Sequence, residues 1–353
     1  MASSPAYRPF GAFRFLLAMM VLVQHSLLLL PPGGAHDLFY GLELGAVAVA
    51  VFFALSGFIV AEACASFYAG RPAAFLANRA LRVAPPYLAT LALAVGVDSW
   101  LFGAGRLVPL DAPLHGAPWQ PRVLLAGLLE IVPGLPAHRI SLQYFSFIPF
   151  AWTLRLEVAF YLLAAGVAWL TARAPARQGR IVAVAFAGLY AGFALFLMTK
   201  GSVGGRQLLN APFFAFGVGL FLLRRHPTWA LSANLLAIFA CVPIAFILCG
   251  ERGHPVLELQ LPMLGLLFAA LAYLSAAPAP IWRGWDKRLG ELSYPLYIGH
   301  GIVLTLLASL SNQRGLLPYT EGIVGALCLA ALLHAWVERP LRRVRDRVRG
   351  TKV

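Results

Sequence analysis

Apolar and polar positions in this chain do not alternate; the apolar ones come in long blocks. Ten blocks, at about 11–31, 41–63, 85–104, 152–172, 181–199, 207–223, 229–249, 256–277, 291–311 and 319–338, run close to 20 residues each. A helix rises about 1.5 Å per residue, so roughly 20 apolar residues cross a hydrocarbon core of about 30 Å. The pattern predicts an all-α, polytopic integral membrane protein with about ten transmembrane helices. The stretch RVLLAGLLEIVPGLP at 122–136 is apolar but short, and it holds Glu130, Pro133 and Pro136. It reads as an interfacial or re-entrant segment rather than a further crossing.

Basic residues orient the pattern. With the N-terminus in the cytoplasm, 20 of the 28 Lys and Arg fall on inner segments. Seven of these occupy the tail from Arg339 to Lys352. The bias predicts ten spans with both termini cytoplasmic, and a basic cytoplasmic tail at 339–353. A domain-sized soluble insert and a clear internal repeat are both missing from the pattern, so 1–353 reads as a single transmembrane domain. The first apolar block contains Gln24 and His25, ends at Pro31 and Pro32, and has no clear A-x-A cleavage site. It reads as a retained helix, not a cleaved signal.

Composition agrees with the blocks. Hydrophobic residues make up 60% and charged residues 12% of 353, with mean hydropathy +0.77; soluble domains carry about 25% charged residues. The net charge of +14 is topogenic in its distribution and does not read as a nucleic-acid footprint. Cys64, Cys241, Cys249 and Cys328 all lie in apolar segments without metal or disulfide spacing, and read as core residues. No metal is expected.

Polar residues inside apolar spans are costly, and they are functional candidates by default. Arg14 and His25 stand 11 residues apart in the first block, on one face and about 16 Å apart along a helix. Taken alone, Arg14 reads equally as a snorkelling topogenic charge, and His25 as a histidine bonded to a neighbouring helix. Ser56 and Gly57 interrupt FFALSGFIV at 52–60, where small residues let helices approach closely. Arg79 and Arg82 lie three apart on one helical face, with Pro85 and Pro86 following at the start of the third span. Such arginines are topogenic, or they bind phosphate bidentately. WTLRLEVAFYLL at 152–163 carries Glu157, which needs a partner, either Arg155 or a group on another helix, and Tyr161. LSYPLYIGH at 292–300 brings Ser293, Tyr294, Tyr297 and His300 into the ninth span, and Glu338 precedes Arg339 and Pro340 at the end of the tenth.

In this order the motifs resemble the membrane-bound acyltransferase-3 family, the inner-membrane O-acyltransferases. The resemblance rests on Arg14-x10-His25, FFALSGF at 52–58, the Arg79/Arg82 cluster with Tyr87, WTLRLEVAFYLL, SYPLYIGH at 293–300 and ERP at 338–340. It departs from the family at Val158, where a second acid is common, at Arg155, where a small residue is commoner, and at Gly299, where Trp often precedes the histidine. It implies a stand-alone form without the periplasmic hydrolase-like domain that many members add, placed in the bacterial plasma membrane.

The resemblance further implies transfer of an acyl group, commonly acetyl, from cytoplasmic acyl-CoA to a hydroxyl of a carbohydrate or glycolipid acceptor. Within that expectation His25 is the general base. Arg14, Arg79 and Arg82 hold the anionic donor. His300, Tyr294 or a cation steadies the oxyanion, and Glu157 and Glu338 position cations or the acceptor. Ser56 and Tyr161 are further candidates. A secondary transporter, or a polysaccharide-export partner without chemistry, would also bury Arg, His and Glu; a transporter predicts inverted repeats that the sequence does not display. The acceptor, the acyl chain length and the oligomeric state are left open.

Overall fold

The computed structural model describes residues 7–135, 137–199, 209–249, 257–311 and 313–350. Among these residues the chain is helical, with no strand. The helices are α1 (Gly11–Ser26), α2 (Ala35–Leu42), α3 (Leu44–Ala65), α4 (Pro72–Gly103), α5 (Pro121–Leu129), α6 (Ala137–Ser141), α7 (Ala151–Arg173) and α8 (Gln178–Met198). They continue with α9 (Ala211–Arg225), α10 (Trp229–Cys249), α11 (Leu257–Leu274), α12 (Arg283–Leu310), α13 (Leu316–Leu333) and α14 (Arg339–Arg349).

Seven of these stretches are long and apolar enough to cross a membrane: Gly11–Leu29, His36–Ala65, Pro72–Gly103, Ala151–Arg173, Trp229–Ile247, Arg283–Leu310 and Leu316–Arg349. The chain is therefore a multi-pass membrane protein. The blocks expected at 181–199, 207–223 and 256–277 fall on α8, α9 and α11, whose apolar parts are shorter. Segment 122–136 contains α5, nine residues long and about 14 Å in length, which is too short to span.

α3 and α12 form the centre. In both, 61% of the apolar window is buried inside the protein, against 22% for Trp229–Ile247 and for Leu316–Arg349 at the periphery. α3 is apolar all round, as a helix enclosed by others must be. Close approach is bought with glycine. A Cβ on Gly57 would sit 2.1 Å from the Phe214 carbonyl oxygen, and one on Gly217 would sit 1.8 Å from that of Ala54. The α3–α9 interface therefore tolerates no side chain at either position. This is the packing role for Gly57 that its small size suggested.

α1 lies against α12 and α3. Its first N–H groups are satisfied from a distance: the Asp286 carboxylate accepts from Gly11 N at 3.1 Å, from Ala12 N at 2.7 Å and from the Tyr7 hydroxyl. A buried acid 275 residues away thus caps the helix that carries Arg14 and His25.

The structure corrects two boundaries. α4 starts at Pro72, so Pro85 and Pro86 lie inside the helix and not at its start. Membrane helices tolerate such prolines when neighbours satisfy freed backbone groups; separately, the Tyr294 hydroxyl donates to the Val83 carbonyl at 3.0 Å and ties α12 to this stretch. The basic segment after Glu338 is also helical. A π-helical turn, His334–Glu338, joins α13 to α14, and α14 lies on α4, with Asn78 donating to the Arg345 carbonyl at 2.8 Å. Of the cysteines expected in the core, Cys64 and Cys241 are partly buried, but Cys328 is exposed on the peripheral face of α13, where apolar surroundings come from lipid. The Cys249 side chain and Lys352 lie outside the described residues.

Candidate active site

A cavity of about 120 Å³ opens between α1, α3, α4, α7 and α12. Arg14, Arg79 and Arg82 line it, with Ser56, Glu157, Tyr161, Ser293 and Tyr294. Glu157 finds its partners in the Ser56 hydroxyl, which donates at 3.1 Å from α3, and the Tyr161 hydroxyl one turn along α7. Arg155 is not among its hydrogen-bond partners; that side chain acts electrostatically on Glu130 and Tyr87 instead. The ion pair considered from sequence therefore gives way to a contact between helices. FFALSGF thus splits into two jobs on adjacent residues: Gly57 packs, and Ser56 faces the cavity.

Three guanidiniums and one carboxylate line this cavity, so its field favours an anion. Arg79 lies 5.3 Å from the ring centroids of Phe75 and Tyr161, which hold it from the side. Arg14 passes over Gly290, where a Cβ would come within 2.6 Å of its Nη2. Nε of Arg14 and Nε of Arg79 are buried with no hydrogen-bond partner among the described residues. Buried donors are normally satisfied, so these two make the cavity the candidate place for an acceptor-rich ligand. Glu338 is buried behind them, 3.4 Å from His334, and acts electrostatically on Arg14 and Arg82. Arg339 is not its partner: the π-helical turn carries Glu338 inward and leaves Arg339 exposed.

His25 does not line this cavity. It meets His300, with Nδ1 of His25 at 2.9 Å from Nε2 of His300. The two rings are parallel within 3°, and Phe150 stacks on both with centroids at 4.3 Å. The protons follow from the partners. Nδ1 of His300 lies 3.1 Å from the Leu296 carbonyl, which can only accept, so that nitrogen carries a proton. In a neutral His300, Nε2 is then bare and accepts from Nδ1–H of His25. In a neutral His25 the remaining lone pair sits on Nε2. The chain of bonds Leu296–His300–His25 leaves the Nε2 lone pair of His25 open. Both ring nitrogens of His300 are engaged, which leaves neither free to steady an oxyanion. Tyr294 is likewise committed to Val83.

One layer separates the histidines from the cavity. The Thr153 hydroxyl donates to the Phe150 carbonyl at 2.8 Å, so in the 2.9 Å contact between Thr153 and Tyr297 the tyrosine is the donor. Thr153 and Tyr297 line the cavity, and the Tyr297 ring is 6.3 Å from that of His300. Sequence reading did not single out Phe150, Thr153 or Asp286. Thr153 lay within the motif at 152–163, and an acid opening a span was the available sign for Asp286; nothing in the sequence marks Phe150.

The acyltransferase domain family matches residues 10–335. The chain is 28% identical over 319 residues to the exopolysaccharide production protein ExoZ of Rhizobium meliloti (strain 1021), covering 85% of this chain and 90% of that protein. It is 24% identical over 336 residues to nodulation protein 10 of Rhizobium leguminosarum bv. viciae, covering 87% and 84%. No solved structure gives a significant match. A family match across nearly the whole chain, on a helical membrane fold, means that this protein belongs to the acyltransferase-3 family and is an acyltransferase.

Proposed function

We propose that the protein moves an acyl group, acetyl in the simplest case, from acyl-CoA to a hydroxyl of a polysaccharide or glycolipid. The observation that carries this reading is the cavity with Arg14, Arg79 and Arg82, two of which keep a buried guanidinium nitrogen unpaired. Planar guanidiniums match the phosphates of such a donor. Relatives named for exopolysaccharide production and nodulation support a saccharide acceptor. The bias of basic residues supports a cytoplasmic arginine end, with both termini on that side.

The donor's thioester supplies an activated acyl carbon. His25 Nε2 accepts the proton of the acceptor hydroxyl, whose oxygen bonds to that carbon. The carbon–sulfur bond breaks, and the proton returns from His25 to the departing thiolate. His300 and the Leu296 carbonyl hold His25 in the required tautomer, and the Phe150 ring fixes its plane. Glu157, held by Ser56 and Tyr161, keeps the arginine end in register. The span of about 16 Å between Arg14 and His25 matches a donor whose anionic and reacting ends are far apart.

The test uses purified protein in lipid vesicles with acetyl-CoA and saccharide from a deletion strain, read by mass spectrometry. Wild type is expected to add the mass of one acetyl group. His25→Ala is expected to lose about 10²–10⁴-fold in rate while inserting normally. Near-normal transfer by that variant would falsify the assignment of the base.

A further inference from the structure

A second hollow, of about 470 Å³, lies in the segment between α4 and α7. Its walls are the stretch 112–115 and the stretch 138–144. We infer that this groove is the saccharide-acceptor subsite, an inference that rests on the acyl-transfer reading above.

The groove is a built site. Side chains alternate along 141–145: Ser141, Gln143 and Phe145 point inward, and Leu142 and Tyr144 point outward. Gln143 is 93% buried; its Oε1 accepts from His115 N at 2.7 Å, and its Nε2 has no partner among the described residues. The Ser141 hydroxyl bonds the carbonyls of Ala137 and Gln143 and fixes the turn. Leu142 adopts φ 61°, a strained left-handed conformation for a bulky residue, at the groove's edge. Tyr144 is 77% exposed, and its ring lies parallel to His138 within 15° at 5.3 Å. An exposed aromatic plate beside Arg139 and an unpaired buried amide suits a sugar, which offers an apolar C–H face and a rim of hydroxyls.

Position supports the choice. Both walls lead to the histidine pair. Beyond Ala112, Leu110 lies against Gly301, the residue after His300; a Cβ on Gly301 would meet it at 3.4 Å. Beyond Tyr144 the chain reaches Phe150, which stacks on both imidazoles. Val108 N is bonded to the Ser309 hydroxyl at 2.9 Å, which ties this segment to α12. A saccharide seated in the groove is thereby held by one segment that leads to the ring stacked on His25 and His300 and by a second that packs beside Gly301, the next residue along from His300.

The probe is saponified saccharide from a deletion strain, cut to short oligosaccharides, presented to the full-length protein in nanodiscs. Tyr144→Ala and Arg139→Ala change exposed side chains and leave the fold intact. Each is expected to raise the saccharide KM roughly tenfold, with the acetyl-CoA KM unchanged. Saccharide binding measured without donor should weaken by the same factor. If wild type transfers acetyl and Tyr144→Ala leaves the saccharide KM unchanged, the subsite is wrong and the transfer reading stands. If wild type binds the saccharide in a Tyr144-dependent way yet transfers nothing, the subsite stands and the transfer reading fails. Neither binding nor transfer overturns both.

Discussion

The two ends of the site are finished to different degrees. At the arginine end, three guanidiniums share a cavity with one carboxylate, and two of them hold a buried nitrogen with no partner among the described residues. At the histidine end, His300 is bonded through both ring nitrogens, His25 is bonded through Nδ1, and one phenylalanine covers both rings. An unpaired buried donor costs stability, and such a cost is kept where a ligand removes it. A stacked pair bonded through three of its four ring nitrogens holds its geometry before substrate arrives, with Nε2 of His25 left open. Under the proposed function, the incomplete end binds the donor and the histidine end carries the chemistry.

The largest effect should come from breaking the complete end. His300→Phe keeps a flat ring but removes the acceptor for Nδ1–H of His25. We expect kcat to fall about 10²–10³-fold with the acetyl-CoA KM unchanged, because the base loses its tautomer and not its neighbourhood. His300→Gln retains a carbonyl acceptor and should recover most of the loss. The ¹⁵N shifts of His25 supply a readout that mere packing would not move: they should report Nδ1–H in wild type and a tautomer mixture in His300→Phe. A wild-type tautomer in an impaired His300→Phe protein would refute the relay.

The next effect concerns the segment between α4 and α7, which leads to the histidine end through Phe150. Glu130 closes α5, is buried, and accepts from the Ser146 hydroxyl at 2.6 Å. Burial is the main cause that pushes its carboxyl up to about 7, and the Ser146 bond and Arg155 partly oppose it. The unfolded chain gives up that proton near 4.5, the folded chain near 7. Between these values the folded state binds more protons, so stability falls as pH rises from about 4.5 to 7 and is flat above. The loss is on the order of 3 kcal/mol. Glu130→Gln should remove it, so the thermal midpoints of the two proteins should diverge as pH is raised from 5 to 8. Parallel profiles would mean that Glu130 is not a buried acid in the working protein.

Sequence made one of these ends easier to see than the other. Apolar length located the helices, because roughly 20 apolar residues have few other uses. It misplaced the start of α4, because Asn78, Arg79 and Arg82 lower the hydropathy of a helix that in fact begins at Pro72. Arg14 and His25 could be set on one face because both belong to α1. The contact between His25 and His300 spans 275 residues, and no periodicity encodes it. Glu157 gave the same lesson: its charge announced a partner, but Ser56 is 101 residues away on another helix. Single-helix geometry is legible from spacing; which faces meet depends on packing, and that depends on glycines such as Gly57, Gly217 and Gly290, whose close approaches exist only in three dimensions.

The smallest effect should come from the incomplete end, and it tests the division of labour most directly. Arg79→Lys keeps the charge over Phe75 and Tyr161 but loses the planar fork and the unpaired Nε. A lysine still attracts an anion as a point charge, so the loss is partial. We expect the acetyl-CoA KM to rise about fivefold to tenfold, with kcat and the saccharide KM unmoved. The ¹⁵N shifts of His25 should stay as in wild type, since a layer containing Thr153 and Tyr297 stands between the cavity and the histidines. A drop in kcat with an unchanged donor KM would place Arg79 in the chemical step, and the separation of a binding end from a chemical end would fail with it.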